Sequence, residues 1–167
     1  YETTDQWRKR IAIYEAQVQM GQDRMEAVRL LAQIGELHET RAKDDTRLQL
    51  AFHAWSRAFA LDPEDQDARA NADRLATEMG TWDALVEAYE RALGGTDDVM
   101  VKSSLLNRIA LIHDQHRRDM RAAIGTYERL LEIDPDETSP LDSLEALHTT
   151  LGDWRGPVSS YNHTPPP

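Results

Sequence analysis

The sequence contains no cysteine. That excludes a disulfide framework, a thiol nucleophile and any thiolate metal site. Glycine and proline are scarce, 8 and 7 in 167 residues, and Pro157, Pro165, Pro166 and Pro167 account for most of the prolines. No apolar run approaches the roughly 18 residues of a membrane span. The opening "YETTDQWRKR" has no apolar stretch behind it, as a signal peptide would. The compartment stays open, with the cytoplasm favoured, and no membrane partner is expected. Basic residues are outnumbered, 19 against 30 acids, for a formal charge of −11. Such a surface repels phosphate backbones, so the expected partner is a neutral or basic protein or peptide and not nucleic acid.

What is abundant is Ala, Leu, Glu, Arg and Gln, a helix-forming composition. It is also repetitive. "WSRAFALDPED" (55–65) and "YERLLEIDPDE" (127–137) lie 72 residues apart, so that Arg57 matches Arg129 and Asp62-Pro63 matches Asp134-Pro135. Trp7 and Tyr14, Trp82 and Tyr89, and Trp154 and Tyr161 are each seven apart. At an offset of 75, Met25, Leu30, Leu31, Ile34 and His38 match Met100, Leu105, Leu106, Ile109 and His113. At an offset of 72, Gly80-x-Trp82 matches Gly152-x-Trp154. The difference of three places an insertion in "RAKDDT" (41–46), where a surface loop tolerates it. Each unit divides again: Ala51, Leu85 and Ala123 are each followed four residues later by an aromatic, Trp55, Tyr89 and Tyr127. Three later come Ala58, Ala92 and Leu130. One period is a pair of helices, and neighbouring pairs must stack to bury both apolar stripes.

At these residues the chain resembles the tetratricopeptide repeat family. The family pattern is an alanine, an aromatic four later, a small residue three later and a proline five after that. Ala51, Trp55, Ala58 and Pro63 meet it in full, and Ala123, Tyr127, Leu130 and Pro135 with one substitution. The Gly-x-aromatic that opens a second helix stands at Gly80-Thr81-Trp82 and Gly152-Asp153-Trp154. The first-helix Trp-Leu-Gly signature is reduced to pieces such as Ile34-Gly35 and Ile109-Ala110. The resemblance implies an all-α fold, a right-handed α-solenoid of antiparallel helix pairs.

Helices are expected at about 4–19, 22–41, 46–60, 66–79, 81–93, 97–116, 119–132 and 140–151. The repeat domain is read as 1–153, with pairs at 22–60, 66–93 and 97–132 and partial pairs at both ends. The tail 154–167 should be irregular, since Pro157 interrupts the helix expected after Trp154. Gly94-Gly95 suggests a left-handed helix end, with Thr96 capping the next helix. Ser139 suggests another N-cap, with Pro140 at the first helical position.

Little here carries chemistry. His113 and His116, three apart near Asp114 and Asp119, are the one histidine cluster. His38 shares the repeat phase of His113 without a second histidine, so the position is read as structural and no metal is expected. Acid pairs such as Asp44-Asp45, Asp97-Asp98 and Asp134-Asp136 fall at helix starts and in loops, where caps and solvation account for them. Gly94-Gly95 lacks the lysine of a phosphate loop. Asn162-His163-Thr164 matches a glycosylation acceptor, a tripeptide common by chance. Recurring Trp and Tyr at one phase read as packing residues. No catalytic or cofactor-binding set can be assembled, and the chain is read as non-enzymatic.

The family resemblance implies a concave groove, lined by the first helix of each pair, that holds an extended peptide or a partner helix. By phase, the groove-facing positions are Arg29, Glu36 and Glu39, then Asp67, Arg74 and Thr77, then Ser104, Asn107 and Asp114, and lastly Asp142 with Thr149. The family's carboxylate clamp uses lysines and asparagines. Only Asn107 fits it here and Asp114 opposes it, so capture of a chain-terminal carboxylate is not expected. The reading is a non-catalytic protein-interaction module with an acidic groove. The alternatives are self-assembly through the solenoid ends, as a homo-oligomer, or a helical-repeat domain of a larger enzyme or RNA-binding protein. Unpartnered stripes on the first and last helices suggest an apolar patch at one or both ends, as in a slice of a longer solenoid.

Overall fold

The computed structural model describes residues 4–21, 23–42 and 45–152. Trp154, Asn162 and the rest of the tail lie outside these. The described residues form eight α-helices and no strand: α1 Thr4–Met20, α2 Arg24–Arg41, α3 Arg47–Leu61, α4 Gln66–Met79, α5 Trp82–Leu93, α6 Val99–Leu111, α7 Met120–Ile133 and α8 Ser139–Leu151. A wide π-helical turn, Ile112–His116, extends α6. The chain divides into two compact units, residues 1–97 and 98–167.

Local chemistry sets most boundaries. Asp23, Asp65, Asp98 and Asp119 each accept backbone N–H groups at the start of α2, α4, α6 and α7, and a carboxylate there also faces the positive end of the helix dipole. The repeated helix endings fold alike. The Asp62 N–H reaches the Ala58 carbonyl at 2.9 Å and the Asp134 N–H reaches Leu130 at 2.9 Å. The two aspartates share φ, ψ of −136°, 88° and −134°, 84°. Gly80 and Gly152, also 72 apart, both take the left-handed conformation, φ 71° and 77°, that closes α4 and α8.

Several expectations are corrected. Thr96 does not begin α6. Asp98 does, its carboxylate 2.9 Å from the Met100 N–H and 3.2 Å from that of Val101, and this charged acceptor outcompetes a hydroxyl. Ser139 is inside α8 rather than capping it; Thr138 holds the cap position without a side-chain cap bond. Gly94 is right-handed, φ −68°. The glycine need there is steric, because a Cβ on Gly95 would lie 2.7 Å from the Ala60 carbonyl oxygen. The end of α6 departs from the ordinary helix expected to residue 116. Arg117 N–H bonds Ile112 O at 3.0 Å, a five-residue span, and Arg118 follows at φ 56°.

In the first unit α2 packs on α1 and α3, and α3 on α4 and α5. Leu31, Ile34, Phe59, Leu75 and Leu85 are fully buried. Phe59 meets Tyr89 edge to face at 5.0 Å. Arg69 Nε donates to the Tyr89 hydroxyl at 3.0 Å, and that hydroxyl donates to the Asp73 carboxylate at 2.9 Å. Desolvation, and then the Asp73 charge, push the Tyr89 pKa up to about 12. Trp7, Leu37 and Ala42 form a smaller cluster with Ile11 and Tyr14. On the outer side of α1, Ile13 and Met20 are exposed. In the second unit α7 packs between α6 and α8, with Ala110, Ala123, Tyr127 and Leu147 buried together. Trp55 and Tyr127 are buried, as their repeat phase requires, but Trp82 is only half-buried. It is the first residue of α5, where one flank lacks a neighbouring turn.

Candidate functional site

Helical spacing brings one face of α2 to the surface of the first unit: Arg29, Gln33, Glu36 and Thr40 recur at three and four residues. Asn71 and Arg74 on α4 face it. Two cavities open here, of about 520 and 500 Å³. The first is walled by Gln33, Glu36, Glu39, Asn71 and Arg74, with Arg10 and Tyr14 from α1 and Arg41 from the end of α2. The second is walled by Arg29, Ala32, Glu36 and Asp67, with Asp23, Glu26, Asp62 and Asp65 at helix starts and turns. Trp55 and Glu36 belong to both. Trp55, 5% exposed, is the shared floor.

The walls are held by polar contacts. Arg74 grips Glu39 through both guanidinium nitrogens, at 2.7 and 2.8 Å, and Arg74 also donates to Asn71 Oδ1 at 2.8 Å. The Arg74 hydrogen bonds, and secondarily its charge, hold the Glu39 carboxyl below the usual range against the opposing effect of burial. Arg29 is bound by Glu26 one turn earlier, with Nε to Oε2 at 3.0 Å, and hydrogen bonding to that carboxylate raises its pKa. The charge is uneven. The first cavity sets three arginines against two glutamates, whereas the second sets six carboxylates against Arg29 alone.

Of the positions given by phase, Arg29, Glu36, Glu39, Asp67 and Arg74 all line these cavities. Thr77 lies further along α4, exposed, with its hydroxyl returned to the Asp73 carbonyl at 2.7 Å. The remaining positions are in the second unit: Ser104 and Asn107 on α6, Asp114 in the π turn, and Asp142 and Thr149 exposed on α8. Sequence reasoning missed the dual part of Trp55, whose phase points to packing alone. It also missed Asp23, Asp62 and Asp65, whose capping hid their second placement at the cavity rim.

His38 and His113, which share a repeat phase, both pack against other side chains. His38 sits edge-on to Trp7 at 6.1 Å. His113 is buried, with Nδ1 2.8 Å from Arg117 Nη1, a donor that leaves that nitrogen an acceptor. Among the described residues no three His, Asp or Glu side chains converge into a metal-binding group, and no helix is long and apolar enough to cross a membrane.

Antiparallel helix pairs with a side-chain-lined groove define an all-α helical-repeat protein, a class that offers surfaces to other proteins. Its tetratricopeptide repeat character is explicit at residues 105–141, which match that family and run from mid-α6 through α7 into α8. No curated protein matches the chain in sequence. Among solved structures, a crystal structure of MamA is 16% identical with a TM-score of 0.50, covering 96% of this chain and 91% of that one. A second MamA crystal structure is 15% identical with a TM-score of 0.49, covering 98% and 94%. MamA residues 41 to the end, from Desulfovibrio magneticus RS-1, is 14% identical with a TM-score of 0.45, covering 96% and 92%. At 16% identity the first of these likenesses concerns the fold alone. Residues 105–141 thus carry a tetratricopeptide repeat within an all-α helical fold, and such a repeat is typically a non-catalytic interaction module.

Proposed function

We propose that the groove over Trp55 binds an extended segment of a partner protein, neutral or basic in character, and that the chain acts through this contact without catalysis. The carrying observation is the pair of cavities, each near 500 Å³, that meet at Trp55 and Glu36. Cavities of that size hold side chains. A segment crossing both would rest an apolar residue on the indole. A lysine or arginine would enter the acid-lined end, where Glu36 and Asp67 stand with the capping aspartates. The arginine-bearing end would face a polar or acidic residue of the same segment.

The test uses two labelled peptides of equal length sharing a central leucine, one flanked by lysines and one by glutamates. Fluorescence anisotropy should give tighter binding of the basic peptide, weakening as salt rises because exposed charges are screened within about 10 Å at 0.1 M. Glu36→Lys with Asp67→Lys should remove the preference while leaving the helical circular dichroism intact. Preference for the acidic peptide, insensitive to salt, would overturn this reading.

A further inference from the structure

A third cavity, of about 320 Å³, lies away from the groove, where α3 and α5 of the first unit run side by side. Phe52, Met79 and Ala84 supply apolar wall, and Ser56 and Thr81 line it with hydroxyls. Ser56 is 2% exposed, and neither its Oγ nor the Thr81 Oγ1 has a hydrogen-bond partner. Helix hydroxyls in this chain can find a partner locally. Thr40, Thr77, Thr126, Thr149 and Thr150 each return their hydroxyl to the carbonyl four residues back, at 2.7 to 2.8 Å. Ser56 on α3 makes no such bond. Thr81 stands at the N-cap of α5 and, like Thr46 and Thr138 at the starts of α3 and α8, makes no side-chain cap bond, but its hydroxyl is shut away from solvent. A buried polar group without a partner is costly, so two on one cavity wall mark a place where partners arrive from outside.

Gln49 and His53 complete the lining, and the two formal charges at the rim offset each other. Glu87 and Arg91 are paired with each other at 3.8 Å, one turn apart on α5, so the lining presents no net charge from them. The volume is at the low end for ligand pockets, enough for one ring and not for a folded segment. We infer that this cavity is a second binding site, independent of the groove, for a small neutral ring compound carrying a hydroxyl. The apolar walls take the ring. The Ser56 and Thr81 side chains, each one staggered χ1 step from other orientations, pair with the hydroxyl, which both donates and accepts.

The probes are p-cresol and toluene, which differ only in the hydroxyl, titrated into the full chain and followed by amide chemical shifts. p-Cresol should give saturable shifts centred on Phe52, Ser56, Thr81 and Ala84, with toluene about 3–10-fold weaker at the same residues, the size of one net hydrogen bond. In the double variant Ser56→Ala, Thr81→Val the two probes should bind equally. That variant should keep or exceed the parent Tm, since it removes two unpartnered hydroxyls. No saturable shift at these residues, equal affinity in the parent, a difference that survives in the double variant, or a marked fall in its Tm would each overturn the inference.

Discussion

Gly35 of α2 lies directly against the indole of Trp55 of α3. A Cβ built on Gly35 would stand 2.6 Å from Trp55 Nε1 and 2.8 Å from Cδ1. The glycine is therefore the other half of the tryptophan's seat, and the groove floor depends on both. Gly35→Ala gains about 0.5–1 kcal/mol of helix propensity but forces a buried ring to move, an overpacking that costs about 1–3 kcal/mol. The net expectation is destabilisation in urea unfolding, with weaker peptide binding as the indole shifts. A variant more stable than the parent would show that Trp55 repacks freely. Trp55→Ala should cost about 3–5 kcal/mol, the range for truncating a buried aromatic.

Tyr89 joins Arg69 and Asp73 through one hydroxyl. Tyr89→Phe leaves both partners to other contacts and should cost about 1–3 kcal/mol. Its pKa, raised from 10.0 to about 12, also sets an alkaline limb. Above pH 10 the unfolded chain releases this proton while the folded chain retains it, so stability falls as pH rises through 10 toward 12. The slope from this group is at most about 1.4 kcal/mol per pH unit. Stability measured across that interval should lose this component in Tyr89→Phe, and an unchanged limb would exclude the group as its source.

The Glu39–Arg74 pair acts at the acid end. A carboxyl held below its ordinary pKa stabilises the fold fully above about pH 4.5, and that contribution is lost as pH falls through the folded pKa. Arg74 is nearly half exposed, so solvent screening keeps the pair to about 0.5–1 kcal/mol. Glu39→Gln should lower the stability at pH 7 by that amount and converge with the parent in strong acid, as followed by urea unfolding. A constant gap at all pH values would assign the loss to packing.

Two open glycines should respond oppositely to alanine. A Cβ added at Gly80 or at Gly125 would meet no atom within 4 Å, but only Gly80 is left-handed, φ 71°. Gly80→Ala should cost about 1–2 kcal/mol of backbone strain. Gly125→Ala, inside α7, should add about 0.5–1 kcal/mol. Arg118, left-handed at φ 56°, should gain on replacement by glycine. Thermal unfolding of the three variants orders them, and equal shifts for Gly80 and Gly125 would remove backbone handedness as the cause.

The sequence by itself determined the helices and their repeat phase. The signals are local: apolar residues at helical spacing, aspartates before helix starts, Asp-Pro after helix ends, and glycines at the left-handed positions 80 and 152. Each acts within a few residues, so the eight helix ranges follow closely from them. The face of α2 was equally legible, because a helix presents every third or fourth residue whatever it packs against. Tertiary structure alone decided what required knowledge of a neighbour. Trp55 became a groove floor because Gly35 admits its ring from one side and α4 stands across the cleft on the other. Asp62 and Asp65 reached the rim of the second cavity only because the turn between α3 and α4 carries them there. Asp98 rather than Thr96 caps α6 for a local reason, by contrast, since a carboxylate accepts the first N–H groups more strongly than a hydroxyl. The unpartnered hydroxyls of Ser56 and Thr81, 25 residues apart, share a wall only once α3 and α5 pack side by side.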